Sequence, residues 1–166
     1  MKFLFILFAF AFTQGSSAAE PPLHEVRLLY QQAENKKDAC KKLISILKPY
    51  QPENNPVLAA YRACATMMMA KYVFNPFSKI SNFNEGKSLL EKSIKADKNN
   101  IELRFLRFAV QTNAPSFLGY TSSINNDKTL LMSHYGSIND QQLKKIIGDF
   151  LRNSDHLNNH EKQRIR

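Results

Sequence analysis

The stretch "NNIELRFLRFAVQTNAPSFLGY", residues 99–120, carries the chain's clearest candidate for chemistry. On a helical wheel begun at Ile101, the residues Leu103, Phe105, Leu106, Phe108, Ala109 and Val110 fill a broad apolar arc. Arg104, Arg107 and Gln111 share one narrow polar stripe at i, i+3 and i+7. Two guanidinium groups and an amide in a row can grip a carboxylate or phosphate through paired donors. The same stripe can instead be engaged inside the protein, on Glu102, on Asp127 or on the last carbonyls of a neighbouring helix, fixing the register of two helices. In the first case it is an anion clamp, in the second a structural tie.

Other catalytic patterns are missing from the sequence. Its five glycines form no phosphate-cradling loop, and neither a Gly-x-Ser-x-Gly elbow nor a His-Glu-x-x-His helix occurs. His156 and His160 stand four apart, a spacing that can share a metal on one helix face. They lie in a polar tail with no cysteine nearby, which reads as surface histidine. Cys40 and His24 would make a nucleophile and base only if the fold joined them; a structural cysteine is the default. The acidic residues are separated singles on wet faces. The expectation is a protein without catalytic residues, metal or cofactor.

The two cysteines, Cys40 and Cys64, lie twelve residues either side of Pro52. Helices over about 36–48 and 57–73, joined by the turn from Pro49 to Pro56, would bring them level in an antiparallel hairpin. A disulfide there would stabilise by roughly 3 kcal/mol, largely through the unfolded state. The alternative is a pair of small buried thiols in a tight helix contact.

Two loops gather aromatic residues. Phe74-Asn75-Pro76-Phe77 is followed by Ile80 and Phe83, and residues 115–120 repeat the theme with Phe117, Leu118 and Tyr120. Both contain proline, which limits the entropy lost on fixing them. Either they line an apolar surface that accepts a peptide or protein, with Phe77, Phe117 and Tyr120 facing it, or they cap the ends of a helical core.

The elements that must position these residues read as helices throughout. Leu23, Val26, Leu29, Tyr30 and Ala33 follow Pro21-Pro22 at helical spacing. Ala39, Cys40, Leu43, Ile44, Ile46 and Leu47 mark a second helix, ending before Pro49. The third, from Val57 to about Val73, is apolar nearly all round and belongs in the middle of a core. Asn82 and Glu85 form a capping-box pattern for a fourth. Asn139 and Gln142 form another, with Ile138 and Leu143 as staple, ahead of the stripe Leu143, Ile146, Ile147, Phe150 and Leu151. "KSLL" at 87–90 recurs as "KTLL" at 128–131, each after a Pro-Phe loop. Such a period points to stacked helix pairs.

The segment "FNEGKSLLEKSIKADKNN", residues 83–100, resembles the second helix and turn of a tetratricopeptide repeat. Gly86 takes its small-residue position, Leu90 its aromatic position, Ser93 its second small position and Asp97 to Asn100 its closing turn. Lys98 stands where that turn has proline, and the following helix carries Arg104 and Arg107 where glycine is expected. The resemblance implies an all-α fold: a short superhelical stack of six to eight helices in antiparallel pairs. Most of the chain is also similar to a family of short exported bacterial proteins, a likeness that brings no function with it.

Residues 1–19 read as an export signal, with Lys2, an apolar run from Phe3 to Phe12 and the small residues Ser17-Ala18-Ala19. That run is too short to span a bilayer, which takes about 20 apolar residues, and no transmembrane segment is expected beyond it. Residues 20–153 then form one helical domain and 154–166 a polar, fraying tail. The full chain has 23 Lys+Arg against 14 Asp+Glu, a net charge of +9. The basic residues are scattered rather than striped, unlike a nucleic-acid reader. These features point to a periplasmic or secreted, non-catalytic module that binds a protein or peptide. The rival is a small-molecule or anion binder, or an enzyme, using Arg104, Arg107 and Gln111.

Overall fold

The computed structural model describes residues 19–165, so the expected export signal over 1–19 falls almost wholly outside the described residues. The protein is all-α: eight α-helices and three short 3-10 turns, with no strand among the described residues. The helices are α1 (Leu23–Ala33), α2 (Lys37–Ile46), α3 (Pro56–Met68), α4 (Pro76–Ala96), α5 (Ile101–Asn113), α6 (Ile124–His134), α7 (Gln141–Asn153) and α8 (Asn159–Gln163). No helix among the described residues is long and apolar enough to cross a membrane.

Asparagine and proline set several starts. The Asn55 side chain accepts a hydrogen bond from Leu58 N at 3.0 Å, and Asn75 accepts one from Phe77 N at 2.8 Å. In each case the next residue, Pro56 or Pro76, fills the first helical position, where no N–H is needed. The fourth helix therefore begins at Pro76, not at Asn82, which sits inside an unbroken 21-residue helix. The Asn75-Pro76 start wins because it satisfies an end, whereas Asn82 has none to cap. The last long helix is likewise capped one residue later than its sequence pattern indicates, by Asp140, which accepts from Leu143 N at 3.0 Å.

Each helix from α1 to α5 packs on its successor, and contacts also link α1 to α3, α3 to α5 and α5 to α7. The pair α3–α4 is the most extensive. Gly86 explains its closeness, since a Cβ there would run into the carbonyl oxygen of Ala63 and come within 2.9 Å of Met67 N. The core holds Leu43, Leu58, Leu90, Leu103, Phe108 and Leu131, all with no more than a trace of exposure. Leu90 and Leu131 are the last residues of the two "K-S/T-L-L" copies, and both are buried in helices that follow a Pro-Phe loop.

The tail beyond Asn153 is packed on the helical domain. Leu157 and Ile165 are buried, and Asn158 and Glu161 form a reciprocal capping box for α8. Lys128 reaches Glu161 at 3.1 Å, and Arg152 donates to the Ile165 carbonyl at 3.1 Å. Two buried apolar side chains in an otherwise polar segment suffice to dock it on α6 and α7.

Candidate functional site

The polar stripe of α5 faces protein. Arg107 makes a bidentate pair with Asp127 of α6, Nε to Oδ2 at 2.7 Å and Nη2 to Oδ1 at 2.8 Å. Its Nη1 reaches Glu91 of α4 at 2.9 Å. Arg104 donates to Asp127 at 3.1 Å and to the Lys98 carbonyl at 2.9 Å. Gln111 is buried and accepts from Ser123 N at 3.2 Å, bracing the α5–α6 connection. Asp127 has 0% exposure, and its two arginines offset the cost of burying its charge. The anion-clamp expectation is corrected for the arginines, whose donors go to Asp127, Glu91 and the Lys98 carbonyl, while Gln111 Nε2 is buried without a partner.

A second buried ion cluster joins the middle of α1 to the starts of α5 and α7, and sequence reasoning misses it. Arg27 holds Glu102 through Nε and Nη2, both at 2.8 Å. It also reaches Asp140 at 2.7 Å and Gln142 at 3.0 Å. The Tyr61 hydroxyl donates to Glu102 at 2.6 Å. Burial first, and then this bond to a carboxylate, push the Tyr61 phenol well above its usual range. One signal was available: Arg27 lies four residues after Leu23 and three before Tyr30, on the apolar stripe of its helix. Further along, Phe150 of α7 packs on Phe105 and Phe108 of α5, so α5 and α7 run the same way.

Tyr120, expected to face a partner, is instead buried on α4. Its ring lies 6.0 Å from that of Phe83, its hydroxyl donates to Glu91, and Lys87 Nζ sits 4.9 Å over its face. Burial, then the Glu91 carboxylate, raise its ionisation far above the usual range. Tyr120 thus pins the 115–120 loop along the middle of α4, from Phe83 to Glu91. Gly119, with φ of +60°, allows the tight bend before it.

What remains exposed is apolar. Phe74 is 99% exposed, Phe77 83%, Ile80 50% and Phe117 82%. Ile80 and Phe77 precede Phe83 along α4 by about 4.5 and 9 Å, so Phe74, Phe77 and Ile80 lie at the N-terminal end of α4. Tyr72 anchors that end, its one hydroxyl proton shared between the carbonyl oxygens of Ala33 and Glu34, each at 2.8 Å. Lys71 and Lys79 are its exposed charges, and no acidic residue occurs between Glu53 and Glu85. The chain matches none of the protein-family models, curated proteins or solved structures with which it was compared.

The remaining candidates do not assemble into a site. Both cysteines are free, buried thiols, and Cys40 Sγ donates to the Ala65 carbonyl at 3.1 Å. Burial pushes the Cys40 thiol up to about 11 and the Cys64 thiol up to about 12, with the Tyr30 hydroxyl opposing the second shift. His24 is exposed beside Glu25, far less enclosed than Cys40. His156 lies against the Phe108 ring at 6.3 Å and His160 sits on α8; no group of three or more metal-ligating side chains occurs among the described residues.

Proposed function

We propose that the protein is an exported, non-catalytic helical-repeat module that docks a protein or peptide on its aromatic edge, serving as a scaffold in the periplasm or outside the cell. The observation that carries this reading is the exposure of Phe74, Phe77, Ile80 and Phe117 at two helix junctions. These side chains do nothing for the core, whereas covering each by a partner is worth about 1.5–3 kcal/mol. The edge is held in advance by the Asn75 cap, by Pro76 and by the buried Tyr120, which lowers the entropy cost of docking. The repeat assignment draws support from the helix contact order and from the matching places of Leu90 and Leu131. Export rests on the N-terminal sequence alone.

The test is site-specific photocrosslinking in cells that produce the full chain. A photoreactive residue at position 77 and another at 117 should yield the same discrete protein adduct. One at Ser137, an exposed position in the α6–α7 connection, should not. No adduct at 77 and 117, or the same adduct from all three positions, overturns the docking assignment.

A further inference from the structure

We propose that a groove between α2, α3 and α4, apart from the aromatic edge, binds a phosphomonoester dianion. Lys48 just beyond α2, Arg62 of α3 and Lys92 of α4 line a cavity of about 540 Å³ with Glu85, over apolar contributions from Ile44 and Leu89. Three cations thus face one carboxylate. None of the three forms an ion pair among the described residues.

Arg62 differs from the arginines that organise the core. Arg27 and Arg107 each grip a carboxylate with two nitrogens. Arg62 instead spreads its donors over neutral oxygens, the Lys48 carbonyl at 3.0 Å and Gln51 Oε1 at 3.1 Å. Its Nε is buried with no partner. A charged group with an unmet buried donor is a cost that an incoming anion relieves, because the Nε–Nη side of a guanidinium matches two oxygens of a phosphate. Ser88 adds an exposed hydroxyl to the lining, while Thr66 is already bonded to the Arg62 carbonyl.

The local charge selects the ligand class. Three cations against Glu85 leave an excess that a monoanion would only partly offset. A phosphomonoester, carrying about −1.5 to −2 at pH 7, neutralises it. Two flexible ammonium groups suit a charge spread over three oxygens better than a planar carboxylate. Ile44 and Leu89 offer apolar surface to the ester's carbon stem. That chemistry is shared by a free phosphate ester and by the headgroup of a phosphomonoester lipid.

The experiment uses the mature protein in two arms at low salt: calorimetric titration with glycerol 3-phosphate, and flotation with phosphatidylcholine vesicles with and without phosphatidic acid. Saturable binding in the first arm identifies a free ester, and flotation dependent on phosphatidic acid identifies a lipid headgroup. Lys48→Gln with Lys92→Gln, both at exposed positions, should weaken that binding by at least about tenfold. Lys144→Gln with Lys145→Gln removes the same charge elsewhere and should leave it unchanged. No saturable binding in either arm up to about 10 mM phosphomonoester, or equal losses in the two double variants, overturns the site.

Discussion

Cys40 and Cys64 show how burial sets the behaviour of single residues. In the unfolded chain both thiols ionise near their ordinary value, about 8.5. In the fold, burial raises them to about 11 and about 12. Between those limits the folded state holds more protons than the unfolded one, so stability is complete below about pH 8.5 and falls as pH rises through 11 and 12. The Tyr30 and Tyr61 phenols are raised by burial too and act in the same direction. The denaturant midpoint should therefore hold steady from pH 7 to about 8.5 and decline above about pH 9. A midpoint that stays level to pH 11 would contradict the enclosure of both thiols. The sequence left them two alternatives, disulfide or buried thiols, and in the structure both are buried and unbonded to each other.

At the scale of elements, Asp127 is the residue through which α5 and α6 are tied, and Glu91 extends the tie to α4 by way of Arg107 and Tyr120. Asp127→Ala leaves Arg107 buried without its bidentate partner and should cost about 3–5 kcal/mol in urea unfolding. Adding Arg107→Leu should recover part of that loss, since an apolar pair avoids the stranded charge. If the arginines served an outside anion instead, Asp127→Ala would leave stability nearly unchanged. Asp127 was among the partners that spacing suggested for Arg104 and Arg107, because one stripe of α5 had to meet something on the next helix. Glu102 was suggested too, yet it turns to Arg27. Its partner lies 75 residues away in sequence, and no local pattern ranks such pairings. Helix identity was legible because apolar spacing of 3.6 recurs from Leu23 to Leu151. The start of α4 was not: two polar clusters, Asn75-Pro76 and Asn82–Glu85, both look like caps, and only tertiary packing shows that the helix runs through the second. The tail misled for the opposite reason, because two apolar residues, Leu157 and Ile165, dock a segment whose composition is polar.

At the scale of the whole molecule, the buried charges and the exposed aromatics divide the work. The Arg27 cluster joins the middle of α1 to the starts of α5 and α7, while Tyr72 ties down the last turn of α1, next to Phe74 in sequence. Neither Phe77 nor Phe117 is a member of either ion cluster. Exposed side chains away from caps and cores usually change stability by no more than about 0.5 kcal/mol, so Phe77→Ser with Phe117→Ser should fold and melt like the parent. The most direct measurement of the docking assignment is the affinity of this double variant for the partner captured from positions 77 and 117. Loss of two buried aromatic contacts predicts binding weaker by about 3 kcal/mol or more, roughly a hundredfold or greater, at unchanged thermal stability. An affinity equal to that of the parent protein would contradict it.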